Sequence, residues 1–148
     1  MNIGIYTYGT RGDLQPYVAL ALGLIGKGHK VTVSATEDFK DFVEGFGVPF
    51  QPLWGNAESM MNSDEGRSIL KAGNPIKLMK YYFKVLHDNR VPLRRSYHEA
   101  ISKVDFIIAN SMTLPIVSTY SFRLLQRFCL FLDYFHPNGK LASNVSVR

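Results

Sequence analysis

The sequence predicts an α/β fold in which helices flank a parallel β-sheet. Three observations lead to this prediction: strand and helix patterns alternate, glycines close the early helices, and a glycine-rich turn joins the first strand to the first helix. Such alternation is typical of β-α-β units, whose strands run parallel. In these sheets the ligand crevice lies outside the carboxyl ends of the strands. We therefore expect functional side chains at the strand-to-helix turns.

The first strand and helix are predicted from local patterns. Residues 2–8 alternate in hydrophobicity and include β-branched residues, which is typical of a strand. Because proline suits the first turn of a helix, the first helix is predicted to begin near Pro16. It should run to about Lys27, where Gly26 and Gly28 stop it.

A second strand and helix follow directly. Residues 29–35 form the second predicted strand, and Thr36 is expected to cap the next helix. That helix is predicted to fill the core with a face made of Phe39, Phe42, Val43 and Phe46. Residues 48–53 form a peripheral strand, because Pro49 and Pro52 cannot donate hydrogen bonds to a neighbouring strand.

After the third strand, the alternation of predicted helices and strands is clear as far as Asn110. The predicted elements are an exposed polar loop at 54–74 with a short helix near 65–72, helices at 75–89 and 92–103, and an apolar strand at 104–109. Beyond Asn110 the pattern weakens, and residues 122–135 read as an amphipathic or buried helix.

Length and composition restrict the classes of protein. With 148 residues, 46% of them hydrophobic, the chain has the size of one globular domain. Cys129 is the only cysteine, which excludes an internal disulfide framework, and the start of the chain lacks the basic region of a secretory signal. We therefore expect a cytoplasmic protein. Because no apolar run reaches the roughly 18 residues that span a bilayer, any membrane contact should be peripheral.

The net charge of +5 permits attraction to phosphates or anionic lipid. Basic and aromatic residues share the stretch that contains Lys77, Lys80, Lys84, Arg90, Arg94, Arg95 and Lys103 with Tyr81, Tyr82 and Phe83. A solvated helical face explains such a stretch, since long basic side chains cover apolar surface. Peripheral membrane contact stays open, and no nucleic-acid partner is expected.

The turn between the first strand and helix carries one acid, Asp13. Its glycines, Gly9 and Gly12, lack the spacing of a dinucleotide fingerprint, and no phosphate-binding lysine and hydroxyl pair follows. Asp13 could cap the following helix or act in catalysis, and both roles can coexist. The histidines show no metal-ligand spacing, so no metal site is expected.

The residues Gly9-Thr10-Arg11-Gly12-Asp13-Leu14-Gln15-Pro16-Tyr17-Val18-Ala19-Leu20-Ala21, followed by Gly26-Lys27-Gly28-His29-Lys30-Val31-Thr32-Val33, resemble the N-terminus of GT-B glycosyltransferases. The branch is that of sterol glucosyltransferases and antibiotic glycosyltransferases. The likeness continues to Asp105-Phe106-Ile107-Ile108-Ala109-Asn110. It implies that residues 1–110 form a Rossmann-like, acceptor-side domain. This domain would be the N-terminal half of a GT-B fold, and it would be incomplete. Residues 111–148 would form a divergent or truncated tail. The C-terminal nucleotide-sugar domain of such enzymes is expected to be absent from this chain.

The resemblance also implies roles for individual residues. Such enzymes transfer a sugar from a UDP- or dTDP-sugar to a hydroxyl of a lipid, sterol or natural product, with inversion and without metal or cofactor. Asp13 corresponds to the general base. Gly9, Thr10, Arg11 and Gly12 would lie near the donor or acceptor, and the acceptor-binding region would contain Trp54, Tyr81, Tyr82 and Phe83.

Without a donor domain, the chain is expected to bind nucleotide-sugar weakly and to be inactive alone. The alternatives are a non-catalytic acceptor- or lipid-binding module, a subunit of a split glycosyltransferase, and a truncated or frameshifted product. An incomplete sheet would also leave an unpaired edge, so self-association is a further expectation.

Overall fold

The computed structural model of this chain describes residues 1–114, residues 116–117 and the backbone of residues 127–130. In chain order the elements are β1 (Asn2–Tyr6), α1 (Arg11–Gly26), β2 (Lys30–Thr36), a 3-10 turn (Glu37–Phe39), α2 (Lys40–Glu44), β3 (Phe50–Leu53), α3 (Ala57–Asn62), α4 (Asp64–Lys71), α5 (Pro75–Asp88), α6 (Arg90–Ile101), β4 (Phe106–Ala109) and β5 (Arg127–Leu130). All pairings are parallel, in the order β3-β2-β1-β4-β5. The α/β fold predicted from the sequence is confirmed.

The core has two layers, one on each face of the sheet. On one face Ile3 and Ile5 of β1 belong to a cluster that includes Tyr17 of α1. On the other face Tyr6 belongs to a cluster that includes Leu86 of α5 and Tyr97 of α6. This division follows from the strand geometry, because successive side chains point to opposite faces.

Helix α1 begins at Arg11, five residues before the predicted start at Pro16. Thr10 is its N-cap, and the side chain of Asp13 bonds back to Thr10. This capping box stabilises the first turn, so the helix can start before the proline. Pro16 therefore lies inside the helix, where it removes one backbone hydrogen bond.

The second predicted helix is shorter than expected. It consists of the 3-10 turn and the five residues of α2, which ends at Glu44. Phe46 was predicted to fill the core but is 52% exposed, because the helix has ended before it. Strand β3 lies at the edge of the sheet, as predicted from Pro49 before it and Pro52 within it.

The predicted loop at 54–74 contains two helices, α3 and α4, rather than one. The side chain of Asn56 accepts a hydrogen bond from the backbone of Ser59 at 2.7 Å and starts α3. Ser63 Oγ accepts one from the backbone of Gly66 at 3.0 Å and starts α4. Polar residues that resemble a loop thus serve as helix N-caps.

The helix predicted at 122–135 is wrong for residues 127–130, which form β5 beside β4. A short apolar run cannot be assigned to helix or strand from periodicity alone, and here it pairs with the edge of β4. The rest of that prediction lies outside the described residues, and the domain boundary at Asn110 stays a prediction. In the described part of the chain, no helix is long and apolar enough to cross a membrane.

Candidate active site

The turn from Gly9 to Asp13 lies at the carboxyl end of β1. Asp13 Oδ2 accepts hydrogen bonds from the backbone nitrogen of Thr10 at 2.6 Å and from Thr10 Oγ1 at 2.8 Å. Asp13 is partly exposed, and none of the described residues donates to its Oδ1. Both of these hydrogen bonds hold the carboxylate through Oδ2.

Gly9 allows the turn to close over Asp13. Its φ angle of +146° lies in a region that other residues rarely adopt, and a Cβ there would lie 2.5 Å from Asp13 Oδ2. Gly12 is less constrained, because the nearest atom to its Cβ position is Thr10 Oγ1 at 3.7 Å. Gly9 is thus required by the shape of the turn, whereas Gly12 only contributes to its exposed surface.

A cavity of about 310 Å³ opens beside this turn. It is bounded by the ends of β1 and β2 and by α3, α5 and the segment after β4. Its walls include Gly9, Thr10, Arg11 and Tyr82, and sulfur-containing side chains from two places: Met60 and Met61 on α3, and Met112 after β4. Methionine side chains are flexible and adapt to irregular apolar ligands. The cavity therefore combines an adaptable apolar wall with the first residues of the polar turn, whereas Gly12 and Asp13 lie next to its lining and are not part of it.

Tyr8 and Asp38 add polar groups to the cavity. Burial raises the pKa of Tyr8 to about 12, and the negative charge of Asp38 contributes to the same direction of shift. The hydroxyl of Tyr8 is consequently protonated at neutral pH and can donate. The carboxylate of Asp38 lies 3.4 Å from the backbone nitrogens of Ala57 and Glu58, at the start of α3.

Arg11 makes a contact that the sequence did not indicate. Its guanidinium carbon lies 4.4 Å from the centre of the Phe42 ring, which is a cation–π geometry. The side chain is exposed, and the residue also lines the cavity. Arg11 therefore braces α1 against α2 and stays within reach of a ligand at the cavity mouth.

The aromatic residues predicted to bind an acceptor occupy different places. Tyr82 is buried and lines the cavity, and its hydroxyl donates to the carbonyl of Met112 at 3.0 Å. Tyr81 is buried against Ser63 Oγ at 3.0 Å and is absent from the cavity wall. Trp54 packs, half-buried, on the core cluster, and Phe83 is 48% exposed. Of the four, the structure places Tyr82 beside the turn.

A buried polar network holds the turn in place. Asn110, at the end of β4, donates from Nδ2 to Thr7 Oγ1 at 3.1 Å and to the carbonyl of Tyr8 at 2.9 Å. Its Oδ1 accepts from the backbone and the hydroxyl of Thr113, both at 3.0 Å. Because the network joins the ends of β1 and β4, it fixes the backbone that leads into Gly9.

Sequence reasoning missed several cavity residues. Asp38 follows β2 at the same sheet edge where the Asp13 turn follows β1, and that placement could have identified it. Met60, Met61 and Met112 carry no comparable signal, since their place depends on how α3 packs. Within residues 1–114 and 116–117, no group of three His, Cys, Asp or Glu side chains could hold a metal ion. The absence of a metal from the reaction stays a prediction.

An open parallel sheet with a carboxylate and an apolar cavity at its carboxyl edge defines a small-molecule site of the α/β class. Residues 3–112 match the glycosyltransferase family 28 N-terminal domain, and the chain belongs to that family.

The chain is similar to sterol 3-beta-glucosyltransferases of two yeasts. It is 37% identical to that of Vanderwaltozyma polyspora over 87 residues, which cover 59% of this chain and 7% of the relative. It is 46% identical to that of Saccharomyces cerevisiae over 61 residues, which cover 41% of this chain and 5% of the relative. The chain thus spans a small part of the curated relatives it matches.

Solved GT-B glycosyltransferases share the fold. The spinosyn rhamnosyltransferase SpnG superposes with a TM-score of 0.66 at 16% identity, covering 95% of this chain and 37% of that one. SpnG has also been solved in complex with thymidine diphosphate and in complex with spinosyn aglycone. The predicted resemblance to the sterol and antibiotic glycosyltransferase branch is confirmed.

Proposed function

We propose that this chain forms the acceptor-binding side of an inverting glycosyltransferase. The enzyme would move a sugar from a UDP- or dTDP-sugar to a hydroxyl of a lipid, sterol or natural product. The observation that carries the proposal is the position of the apolar cavity directly beside the turn that holds Asp13. Membership of glycosyltransferase family 28 supports the reaction class.

The cavity suits an acceptor with an apolar body and one hydroxyl. Met60, Met61 and Met112 would contact the apolar body, and Tyr82 would supply a flat aromatic wall. The polar groups lie together at the turn and at Tyr8, so a hydroxyl entering there would be oriented by hydrogen bonds. Pockets of this kind gain affinity from apolar contact and specificity from a few placed polar groups.

Asp13 would act as the general base. As the acceptor oxygen attacks the anomeric carbon, its proton passes to Asp13 Oδ1, and the bond to the nucleotide diphosphate breaks with its electron pair. Attack from the side opposite the leaving group inverts the anomeric centre. The two hydrogen bonds at Oδ2 support this role, because they hold the carboxylate in one orientation.

The nucleotide-sugar would bind chiefly to a donor domain that these 148 residues do not include. Thr10, Arg11 and Gly12 are exposed on the turn and would face the donor's sugar or phosphates. The chain by itself is then expected to bind nucleotide-sugar weakly and to transfer no sugar. Neither a cofactor nor a metal enters the proposed step.

A second candidate function is a non-catalytic acceptor- or lipid-binding module, including the acceptor subunit of a split glycosyltransferase. The apolar cavity favours it, because the cavity can hold a lipid without a nucleotide-sugar beside it. A subunit would require a partner chain that carries the donor domain, and mass spectrometry after affinity purification from the source cells would find it.

Binding and transfer assays on the purified chain test the proposal. A fluorescent sterol should bind, and Met60→Asp, which places a charge in the apolar wall, should weaken binding at least about tenfold. The matched control is Leu70→Asp, at an exposed leucine of α4 outside the cavity. No sterol binding, or equal effects of both changes, would contradict the acceptor assignment. Robust transfer from UDP-glucose that Asp13→Asn abolishes would contradict the inactivity of the isolated chain.

A further inference from the structure

Tyr8 offers the cavity a hydrogen-bond donor that only a weak acceptor uses. The residue lines the cavity, and in the described part of the chain the one hydrogen-bond partner of its hydroxyl is Met60 Sδ, at 4.0 Å. A thioether sulfur accepts hydrogen bonds weakly, so an oxygen of a bound molecule would replace it. Because burial raises the pKa of Tyr8 to about 12, the hydroxyl keeps its proton at neutral pH.

Asp38 offers the cavity an acceptor. Its side chain is half-buried, and its two oxygens accept long hydrogen bonds of 3.4 Å from the backbone nitrogens of Ala57 and Glu58. An ionised carboxylate has about four lone-pair sites, so further sites can accept from a ligand. Among the described residues, no hydrogen bond joins Asp38 to Tyr8. The cavity therefore presents a donor and an acceptor that do not satisfy each other.

Helix α3 brings this donor and this acceptor together. Asp38 contacts the first two residues of α3, and the hydroxyl of Tyr8 contacts Met60 in the same turn of that helix. The negative charge of Asp38 contributes to the raised pKa of Tyr8, which agrees with this proximity. A ligand hydroxyl between the two would donate to Asp38 and accept from Tyr8. A ketone or ether oxygen can only accept, so the pair favours a hydroxyl.

The pair lies beside the Asp13 turn but belongs to another face of the sheet. Tyr8 is part of the core cluster that α5 and α6 cover. Asp13 lies in α1, whose buried residues are part of the cluster on the opposite face. A ligand that uses both places therefore needs two hydroxyls, one at each place.

The hydroxyl of Tyr8 is held in position by its neighbours. A Cβ at Gly55 would lie 3.3 Å from Tyr8 Oη and 3.5 Å from Thr36 Cγ2, and the φ angle of Gly55 is +118°. The ring of Tyr8 also packs on the ring of Tyr82, with 5.3 Å between their centres. A polar group that is already fixed loses little freedom when a ligand binds, so this hydroxyl is suited to recognition.

We propose that Tyr8 and Asp38 bind a second hydroxyl of the acceptor, other than the hydroxyl that receives the sugar. The chain would then select apolar molecules that carry two hydroxyls over molecules that carry one. Describing this ligand as an acceptor rests on the proposed function. The selection itself does not depend on sugar transfer, and binding alone measures it.

Displacement of a fluorescent sterol from the purified chain tests this selection. The competitors are cholesterol, with one hydroxyl, and hydroxycholesterols whose second hydroxyl stands on the ring system or on the side chain. At least one dihydroxysterol should bind about tenfold more tightly than cholesterol, because cholesterol leaves the polar pair without a partner. Tyr8→Phe should bring the two affinities to within about twofold of each other, and Asp38→Asn should reduce the ratio. A general defect in the cavity would instead weaken both sterols alike and preserve the ratio.

Matched controls should keep the preference for two hydroxyls. Tyr97→Phe removes a buried phenolic hydroxyl outside the cavity wall, and Asp41→Asn removes an exposed carboxylate of α2. Circular dichroism should show that all variants are folded. Equal binding of cholesterol and every dihydroxysterol would overturn the proposal and leave sterol binding intact, as would a ratio that Tyr8→Phe and Asp38→Asn do not change. If no sterol bound at all, the proposal and the acceptor assignment would both be wrong.

Discussion

Asp13 Oδ2 lies 2.6 Å from the backbone nitrogen of Thr10, three residues earlier in the chain. This bond closes the capping box of α1 and at the same time holds the carboxylate in one orientation. The structural and the proposed catalytic role use different oxygens, so they do not compete. A change at Asp13 must consequently be assessed for stability and for chemistry separately.

Gly9→Ala should destabilise the protein by at least about 1 kcal/mol, because an alanine is strained at this backbone angle. Its Cβ would also lie 2.5 Å from Asp13 Oδ2, which would displace the carboxylate. The control is Gly23→Ala inside α1, where a Cβ meets no atom within 4 Å. It should stabilise by about 0.5 to 1 kcal/mol. Urea unfolding measures the change in stability for both variants. If Gly9→Ala left the free energy of unfolding unchanged, the turn would be less constrained than described.

Asn110→Ala should lower the free energy of unfolding by at least about 2 kcal/mol. The substitution leaves the buried carbonyl of Tyr8 and the hydroxyl of Thr7 without their donor, and unsatisfied buried groups cost about 1 to 3 kcal/mol each. Gln15→Ala, at an exposed position of α1, should change stability little. Chemical denaturation measures the free energy of unfolding of both variants. If the two free energies were equal, the network would not hold the turn.

Tyr97→Phe should leave stability unchanged or raise it slightly. The hydroxyl of Tyr97 is buried, and no described residue bonds to it, so its removal deletes an unsatisfied group. Tyr82→Phe should cost about 1 kcal/mol, because the carbonyl of Met112 loses its donor. Thermal unfolding of the two variants tests this interpretation. A lower Tm for Tyr97→Phe than for Tyr82→Phe would contradict it.

Stability should fall as the pH rises above 10, the ordinary pKa of tyrosine. Burial raises the pKa values of Tyr6, Tyr8, Tyr82 and Tyr97, that of Tyr8 to about 12. Above pH 10 the unfolded chain releases phenolic protons that the folded chain retains, so the unfolded state is favoured. The stabilisation is complete below pH 10. It is lost as the pH rises toward the pKa values of these tyrosines in the folded chain, by about 1.4 kcal/mol per pH unit for each tyrosine. Urea unfolding across this range should show a shallower fall for Tyr97→Phe, and an identical slope would refute the assignment.

The sheet and the position of Asp13 could be predicted because both depend on local patterns. The alternation of strands and helices predicts the parallel sheet, and the glycine-rich turn predicts which edge carries the candidate site. The start of α1 was missed because Pro16 is a strong signal, and the bond between Asp13 and Thr10 outweighs it. Strand β5 was missed because pairing with β4 decides its structure rather than its own periodicity.

The cavity wall could not be predicted in the same way. Met60 and Met112 are 52 residues apart in sequence and meet only because α3 and the segment after β4 pack over the same edge. Tyr81 and Tyr82 look equivalent in sequence, yet the rotation of α5 sends Tyr82 into the cavity and Tyr81 against Ser63. Tertiary packing decides these assignments.

The most direct test of Asp13 as the general base is sugar transfer by this chain joined to the donor domain of a sterol 3-beta-glucosyltransferase. With UDP-glucose and a sterol, Asp13→Asn should lower kcat at least about hundredfold while the KM for the sterol changes little. Asp41→Asn, at an exposed carboxylate of α2, is the matched control and should transfer at the unmodified rate. An Asp13→Asn variant that is folded and keeps the full kcat would contradict the assignment.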